Sequence, residues 1–330
     1  MTQREKMLAL ETEMNAQVLG QEELVRMLIV ALLCDGHVLL EGLPGLAKTR
    51  AVRELAKHLE GDFCRIQFTP DLLPSDITGS EIYQQNATRE EDQFRFRPGP
   101  VFGNIILADE INRASARVQS ALLEAMEERH VTVAGKTWPL PGVFMVLATQ
   151  NPIDQEGTWP LPEAQLDRFL MKILVSYPSQ ENEQKVMQLV RAEQQAQYQA
   201  AQPDAVAAAI TRLSQADIAN CWQEIASVYV APTVESYIVN LVEMTRQPAS
   251  VSDTFASYIA LGVSPRGTLA LDRCGRALAW LEGRDAVLPE DIKRIAPAVL
   301  RHRLLLSYQA NADNCSADRA IQMLLDAVVA

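Results

Sequence analysis

The chain has 330 residues, of which 48% are hydrophobic and 22% are charged, so its composition is typical of globular proteins and its length allows two domains. The net charge of −12 disfavours an affinity that rests on many phosphate contacts, so we expect no nucleic-acid partner. No apolar run could span a bilayer and the charged start MTQREKMLALETEMNAQ lacks an apolar signal core, so we expect a cytoplasmic protein without membrane insertion.

Five short apolar runs are predicted to be β-strands. Most are continuously apolar, which is typical of strands that are buried on both faces. Segments with helical periodicity separate most of them, including 47–59 and 115–128. Strands that alternate with helices predict an α/β fold whose parallel sheet is covered on both faces. The runs are HVLLE (37–41), CRIQFT (64–69), NIILADE (104–110), VFMVLATQN (143–151) and MKILVSYP (171–178).

A glycine-containing loop, GLPGLAKT at 42–49, lies between the first predicted strand and a helix, which is the context of a phosphate-binding loop. Gly42 and Gly45 allow backbone amides to approach an anion closely, and the start of the helix adds its positive end. Lys48 is expected to reach the β- and γ-phosphates of a nucleotide. The Thr49 hydroxyl is expected to bind Mg²⁺.

One position departs from the general phosphate-loop pattern, which has glycine immediately before the lysine. Ala47 stands there instead. We expect alanine to be tolerated if the position has helical dihedral angles, because only a positive φ strictly needs glycine. A plain turn between a strand and a helix is the alternative interpretation.

Two segments interrupt the alternation of strands and helices and are predicted to be β-hairpins. The first lies near 80–100, where apolar and basic residues alternate in FRFR (94–97), after a polar tip at 85–92. The second lies at 130–141, where Ala134-Gly135-Lys136 separates two short runs.

Polar side chains follow the third and fourth predicted strands. NIILADE delivers Asp109 and Glu110 to the carboxyl end of its strand, where ligands bind in open α/β sheets. There, Asp109 is expected to hold Mg²⁺ through its water shell and Glu110 to polarise an attacking water. Asn151 ends the next strand at the same edge and is expected to orient water and to sense the γ-phosphate. The alternatives are an exposed acidic strand end and a capping asparagine before Pro152.

Beyond Pro178 the pattern becomes helical, which predicts a smaller all-α domain. Residues 196–209 are rich in alanine and glutamine, so we place the boundary there and assign 1–195 to the α/β domain and 196–330 to the helical domain. Its main predicted helices are DIANCWQEIASVYV, TVESYIVNLVEMTR, SPRGTLALDRCGRALAWLEG, LPEDIKRIAPAVLRHRL and ADRAIQMLLDAVV.

Two arginines have candidate roles at a nucleotide. Arg168 lies at the end of a helix before the fifth strand, where it could reach across a subunit boundary as an arginine finger or form a surface ion pair with a neighbour such as Asp167. Arg266 lies in the first turn of a helix that Ser264 is expected to cap. A cation in a first turn opposes the helix dipole, so an anion such as the nucleotide phosphates could hold it there.

Together these segments resemble the MoxR family of AAA+ ATPases over nearly the whole chain. The family has alanine where Ala47 stands, so this departure from the general pattern agrees with the resemblance. The two hairpins resemble the helix-two insert and the pre-sensor insert of the branch that includes magnesium-chelatase ATPase subunits. The matching segments are GLPGLAKT, ILADEINRASARVQSALLEAMEE, LATQNPIDQEGTWPLPEAQLDRF, SPRGTLAL and VLRHRL.

The resemblance implies a P-loop NTPase core of the AAA+ type with a five-stranded parallel sheet, two hairpin inserts and an all-α lid. It implies ATP hydrolysis with Mg²⁺ in a homo-oligomeric ring, usually a hexamer, with sites between subunits. It also implies chaperone-like remodelling of client proteins, often with a von Willebrand factor A domain partner.

The resemblance also assigns roles to individual residues. Lys48 and Thr49 match Walker A, and Asp109 and Glu110 match Walker B. Asn151, Arg168 and Arg266 match sensor 1, the finger and sensor 2. The nucleotide-binding set is Gly20, Gln21, Gly42, Leu43, Pro44, Gly45, Leu46, Ala47, Lys48, Thr49, Arg50 and Arg266.

Two other functions stay open. A metal-insertion motor that acts with a chelatase would look much the same. A nucleic-acid motor of the helicase type would need basic hairpins, yet the second hairpin offers only His130 and Lys136. The first hairpin offers Arg95 and Arg97 beside an acidic tip at 90–92.

Overall fold

The computed structural model describes residues 1–43, 45–83, 94–152, 157–200 and 212–329. The expectations for Pro44, for the hairpin tip at 85–92 and for most of 196–209 concern residues outside these ranges.

Helices and strands account for most of the described chain. The helices are α1 (Gln3–Gln17), α2 (Glu22–Leu33), α3 (Lys48–Lys57), α4 (Pro74–Thr78), α5 (Ala116–Glu128), α6 (Glu163–Leu166), α7 (Gln180–Ala200), α8 (Gln215–Ala226), α9 (Pro232–Arg246), α10 (Asp253–Tyr258), α11 (Pro265–Leu281), α12 (Pro289–Leu300), α13 (Tyr308–Ala312) and α14 (Ala317–Ala327). The strands are β1 (Val38–Gly42), β2 (Phe63–Gln67), β3 (Gly79–Tyr83), β4 (Phe94–Pro98), β5 (Ile105–Asp109), β6 (His130–Val133), β7 (Lys136–Pro139), β8 (Met145–Gln150), β9 (Met171–Val175), β10 (Ile259–Leu261) and β11 (Leu305–Leu306).

The five predicted strands form one parallel sheet, as expected. Their order in the sheet is β2-β5-β8-β1-β9. Successive residues of a strand point to opposite faces. In β1, Leu40 therefore packs with α2 and α3 on one face, whereas Leu39 packs with α5 on the other. Both faces are covered, which explains why the strands are continuously apolar.

Both predicted hairpins are present. β3 pairs with β4 and β6 pairs with β7, in antiparallel register. Between β6 and β7, Ala134 and Gly135 have φ angles of 50° and 79°, the left-handed geometry of a tight hairpin turn. The two hairpins touch through Phe96 and Trp138, whose rings stack with centroids 4.5 Å apart. The inserts therefore contact each other through an aromatic pair.

The predicted helices of the lid are present, and β10 and β11 add a short antiparallel pair between them. The predicted boundary between 195 and 196 falls inside α7, so the domain limits remain a prediction. Within the described ranges, no helix is both long and apolar enough to cross a membrane.

The lid is docked on the segment that joins α6 to β9, through a buried arginine. The Arg303 side chain is 3% exposed, and its Nε donates to Asp167 Oδ1 at 2.8 Å. The same guanidinium donates to the carbonyl oxygens of Phe169 at 2.6 Å and Leu170 at 3.0 Å. Ser264 Oγ donates to the other carboxylate oxygen of Asp167 at 2.8 Å. Lid residues therefore hold the chain on both sides of position 168.

Helices α1 and α2 also pack against the lid and share its apolar core. Lys6 Nζ lies 2.6 Å from Asp217 Oδ1, and this hydrogen bond holds the pKa of the Asp217 carboxyl well below its usual range. Trp222 Nε1 donates to the carbonyl oxygen of Leu32 at 3.0 Å. The lid is thus bound to the core at a second place.

Replacing Arg303 with Met should lower the free energy of unfolding by about 3 kcal/mol, because it leaves the Asp167 carboxylate without its buried cation. Urea unfolding followed by circular dichroism measures this change. Lys185→Met is the control, since it breaks an exposed pair with Glu181 and should cost less than about 1 kcal/mol. Equal losses for the two variants would contradict the docking role of Arg303.

Candidate nucleotide site

The phosphate loop connects β1 to α3, and α3 begins at Lys48. Gly45 has a φ of 82°, and apart from its chain neighbours no atom of the described residues lies within 4 Å of the position that a Cβ would occupy there. A cavity of about 780 Å³ opens beside the loop. Its lining includes Gly45–Arg50 together with Arg53 and Lys57, so the start of the helix and several cations face it. These features suit the phosphates of a nucleotide.

Ala47 has a φ of 59° and a ψ of 9°, which is the left-handed region. The expectation that helical dihedral angles allow alanine here is therefore wrong. A residue with a Cβ pays roughly 1–2 kcal/mol for this conformation, whereas glycine adopts it freely. The loop keeps the backbone geometry of the general pattern and holds it with a strained alanine.

Lys48 links the loop to the neighbouring strand. Its ammonium donates to the carbonyl oxygen of Gly42 and lies 3.4 Å from the carbonyl oxygen of Gln150, at the end of β8. Thr49 follows in the first turn of α3 and lines the same cavity. Lys48 and Thr49 therefore both lie beside the cavity, as expected for residues that match Walker A.

Asp109 ends β5 and is buried, with both carboxylate oxygens hydrogen-bonded. Oδ1 accepts from Thr149 Oγ1 at 2.7 Å, and Oδ2 accepts from Arg65 Nη2 at 2.7 Å. Carboxylate and hydroxyl oxygens are ligands that Mg²⁺ prefers, and a nucleotide adds its phosphates, so Asp109 and Thr49 fit the ion. Since Arg65 already pairs with the carboxylate, a hydrated ion fits this arrangement better than direct coordination.

Glu110 has a φ of 59°, a left-handed conformation that is uncommon for non-glycine residues. Its amide donates to Thr149 Oγ1 at 2.8 Å, which fixes the backbone. The carboxylate accepts from Gln67 Nε2 at 2.9 Å and lies 3.2 Å from Arg113 Nε. Glu110 is therefore held at the sheet edge by donors on both sides.

Asn151 is buried directly after β8, the strand that lies between β5 and β1. The neighbouring carbonyl of Gln150 faces Lys48, and Thr149 binds Asp109. The structure thus brings Lys48, Asp109 and Asn151 to one edge of the sheet, in the arrangement that the sequence predicts.

The start of α5 is tied to this edge by a buried amide. Gln119 Nε2 donates to the carbonyl oxygens of Ile111 at 3.2 Å and Ala114 at 3.1 Å, in the turn that follows Glu110. It also donates to the carbonyl oxygen of Trp159 at 3.0 Å. The turn after β5 is therefore attached to α5 by hydrogen bonds.

The remaining nucleotide candidates lie around the loop but already have protein partners. Gln21 is buried and donates to the carbonyl oxygen of Ser176 at 2.9 Å. Gly20 has a φ of 73°, and a Cβ there would meet Asn182. Arg50 pairs with Glu193 of α7. These contacts connect the loop region to the start and the middle of α7.

The structure does not bring Arg168 and Arg266 to the phosphate loop. They line a separate cavity of about 310 Å³. Arg168 Nη2 lies 2.9 Å from Glu127 Oε2, and Arg266 Nη2 pairs with Glu127 Oε1. Arg168 therefore has the surface ion pair that the alternative describes, but its partner is Glu127, because Arg303 and Ser264 bind the Asp167 carboxylate.

Sequence reasoning missed several residues that contact the candidates. Gln67 was recognisable, since it lies near the carboxyl end of the second predicted strand (64–69), at the same sheet edge. Glu127 carried no such signal, because its pairing depends on how α5, α6 and the lid pack. The missed residues are Arg65, Gln67, Arg113, Glu127 and Thr149.

Comparison with known proteins gives consistent matches. The family model described as "ATPase family associated with various cellular activities (AAA)" matches residues 37–171, and the model of the AAA lid domain matches 254–324. "Chaperone MoxR1" of Mycobacterium tuberculosis is 46% identical over 96% of this chain and 80% of its own length. "Protein MoxR" of Paracoccus denitrificans is 35% identical over 90% of this chain and 88% of its own. A solved protein from Cytophaga hutchinsonii, described as a candidate ATPase, has a TM-score of 0.87 and 44% identity, covering 99% of this chain and 95% of its own.

Lys48→Ala should weaken ATP binding about 10- to 100-fold, because the phosphates lose their main side-chain cation. Glu110→Gln should bind ATP as tightly as the unchanged protein and lose turnover. A fluorescent ATP analogue measures the dissociation constant, and phosphate release measures turnover. Lys185→Ala, which removes an exposed lysine of α7 outside the cavity lining, is the control and should keep both values. Unchanged ATP affinity in Lys48→Ala would count against the phosphate loop.

Proposed function

The chain belongs to the MoxR family of AAA+ ATPases, and we propose on this basis that it hydrolyses ATP to drive a chaperone-like motor. The observation that carries the proposal is the meeting of Lys48, Thr49, Asp109, Glu110 and Asn151 at one sheet edge beside the phosphate-loop cavity. A scaffold without catalysis would have no need for both Lys48 and Glu110 at this edge.

The residues divide the reaction between them. Loop amides and Lys48 bind the β- and γ-phosphates, and Glu110 orients water for attack on the γ-phosphate and accepts its proton. Asn151 fixes the water and contacts the γ-phosphate from β8. Mg²⁺, when bound, neutralises charge that develops on the phosphates. Since Gln67 and Arg113 hold the Glu110 carboxylate here, it must turn away from them to reach water.

We infer that the active site is shared between subunits of a homo-oligomeric ring, with a hexamer as the expected size. Support comes from Arg168 and Arg266, which lie together on one cavity and apart from the phosphate loop of the same chain. Lid contacts with Asp167 keep both arginines on that side. In a ring they would complete the site of a neighbouring subunit, where an arginine finger stabilises charge in the transition state.

The motor is proposed to remodel client proteins or complexes, together with a von Willebrand factor A domain partner, in the cytoplasm. A relative with 46% identity is named a chaperone, which supports the general role. Metal insertion with a chelatase would be the same activity directed at another client. ATPase stimulation by a purified candidate partner distinguishes the two.

Arg168→Ala should retain ATP binding and lose most turnover, by about 10³-fold or more, since a finger arginine acts only on the transition state. Mixed with Glu110→Gln, it should recover part of the activity, because some interfaces then pair an intact Glu110 with an intact Arg168. Phosphate release across mixing ratios, with light scattering to follow assembly, makes the measurement.

Arg191→Ala, on the exposed face of α7, is the matched control and should behave as the unchanged protein. A fully active monomer would remove the shared site. So would mixtures of Arg168→Ala and Glu110→Gln that never exceed the two variants measured alone.

Single-stranded DNA and RNA should neither bind tightly at physiological salt nor stimulate ATP hydrolysis several-fold, because the net charge of −12 disfavours phosphate contacts. Phosphate release with and without each nucleic acid, at two salt concentrations, tests this. A salt-sensitive stimulation would favour the helicase-type motor.

A further inference from the structure

We propose that Glu127 is a positioning residue, whose carboxylate holds Arg168 and Arg266 side by side so that both face one phosphoryl group. The proposal rests on the proposed function, in which these arginines serve the nucleotide of a neighbouring subunit. Glu127 itself touches no nucleotide and acts through the two guanidinium groups.

The carboxylate bridges three elements. Glu127 lies one residue before the end of α5, and its side chain is 34% exposed. Its Oε2 lies 2.9 Å from Arg168 Nη2, next to β9, and its Oε1 pairs with Arg266 Nη2 in the first turn of α11. Arg168 is fixed further, since its Nη1 donates to the carbonyl oxygen of Leu123 at 2.8 Å. One glutamate therefore joins a core arginine to a lid arginine.

The charges around Glu127 explain why a carboxylate is needed between the two arginines. Two guanidinium cations that converge on one point repel each other, and Arg266 also faces the positive end of its own helix. Asp167 is another carboxylate near Arg266, but it lies 3.9 Å away and binds Arg303 and Ser264. Glu127 is thus placed to neutralise the pair and to set its spacing.

The bridge leaves the arginines able to bind phosphate. A guanidinium has five N–H donors, and each arginine gives one nitrogen to Glu127. Both side chains line the cavity of about 310 Å³, so an incoming phosphoryl group would find two preoriented cations. Arginine side chains lose much freedom on binding, and holding them in place beforehand reduces that loss.

The test compares Glu127→Gln, which keeps the shape and loses the charge, with Glu127→Asp, which keeps the charge at a shorter reach. We expect Glu127→Gln to lower kcat about 10²-fold, the size of effect that a misplaced catalytic group produces, with the ATP dissociation constant unchanged. Glu127→Asp should fall between Glu127→Gln and the unchanged protein. Glu128→Gln, at the exposed neighbouring position, is the matched control and should keep full activity.

Mixing experiments assign Glu127 to one half of the shared site. Glu127→Gln mixed with Glu110→Gln should regain activity, because the defects lie on opposite sides of an interface. Mixed with Arg168→Ala it should not, because both defects lie on the same side. When Glu127→Gln is added to Arg168→Ala in one chain, turnover should fall by a further factor of less than about ten. Part of the effect of Glu127→Gln requires Arg168, which is already missing there.

If the protein without substitutions hydrolyses ATP, a turnover of Glu127→Gln that equals or exceeds its rate would overturn the proposal. Equal losses of ATP binding and turnover would also overturn it, because they would indicate a general structural role. If Glu127→Gln does not fold, as judged by its unfolding temperature, the Glu127→Asp variant decides by the same split between kcat and ATP affinity. An unchanged protein without ATPase activity would contradict the proposed function itself.

Discussion

The position of β8 between β1 and β5 determines the distances among the candidate catalytic groups. Adjacent strands lie about 4.8 Å apart, so side chains at three neighbouring strand ends fall within reach of a single triphosphate. Thr149 joins the ends of β8 and β5, because its hydroxyl donates to the Asp109 carboxylate and accepts from the Glu110 amide. Asp109 and Glu110 are thereby fixed to the strand that Asn151 follows, and Lys48 contacts the same strand at Gln150.

Buried polar contacts attach the lid to the segment that leads into β9, the edge strand of this sheet. Arg303 is nearly inaccessible, and burial lowers the pKa of its guanidinium, whereas Asp167 favours the charged form. Arginine remains charged in proteins, so the buried cation needs its carboxylate and the surrounding carbonyl oxygens. The same contacts place Arg266 next to Arg168. The lid therefore contributes to the position of the arginines as well as to stability.

The sequence predicts the five strands, the hairpins and the main helices, because periodicity and turn residues are local signals. It also predicts which side chains meet at the sheet edge, because parallel strands end together. Other features depend on tertiary contacts and escape local patterns. The left-handed geometry of Ala47 follows from the path of the loop, and the pairing of Glu127 depends on the docking of the lid. A residue's partner is thus harder to predict than its element.

Helix α5 has a consequence for how subunits of a ring would communicate. Gln119 attaches its beginning to the turn after Glu110. About 12 Å further along the axis, Glu127 pairs with Arg168 and Arg266, the arginines that are proposed to serve a neighbouring subunit. Two residues after Glu127, Arg129 has a φ of 57° and leads into the hairpin β6–β7. A helix this short behaves as a stiff rod, so a shift at one end reaches the other. A change at the nucleotide of one subunit would then shift the arginines that serve the next subunit, and hydrolysis at successive sites of the ring would be coupled.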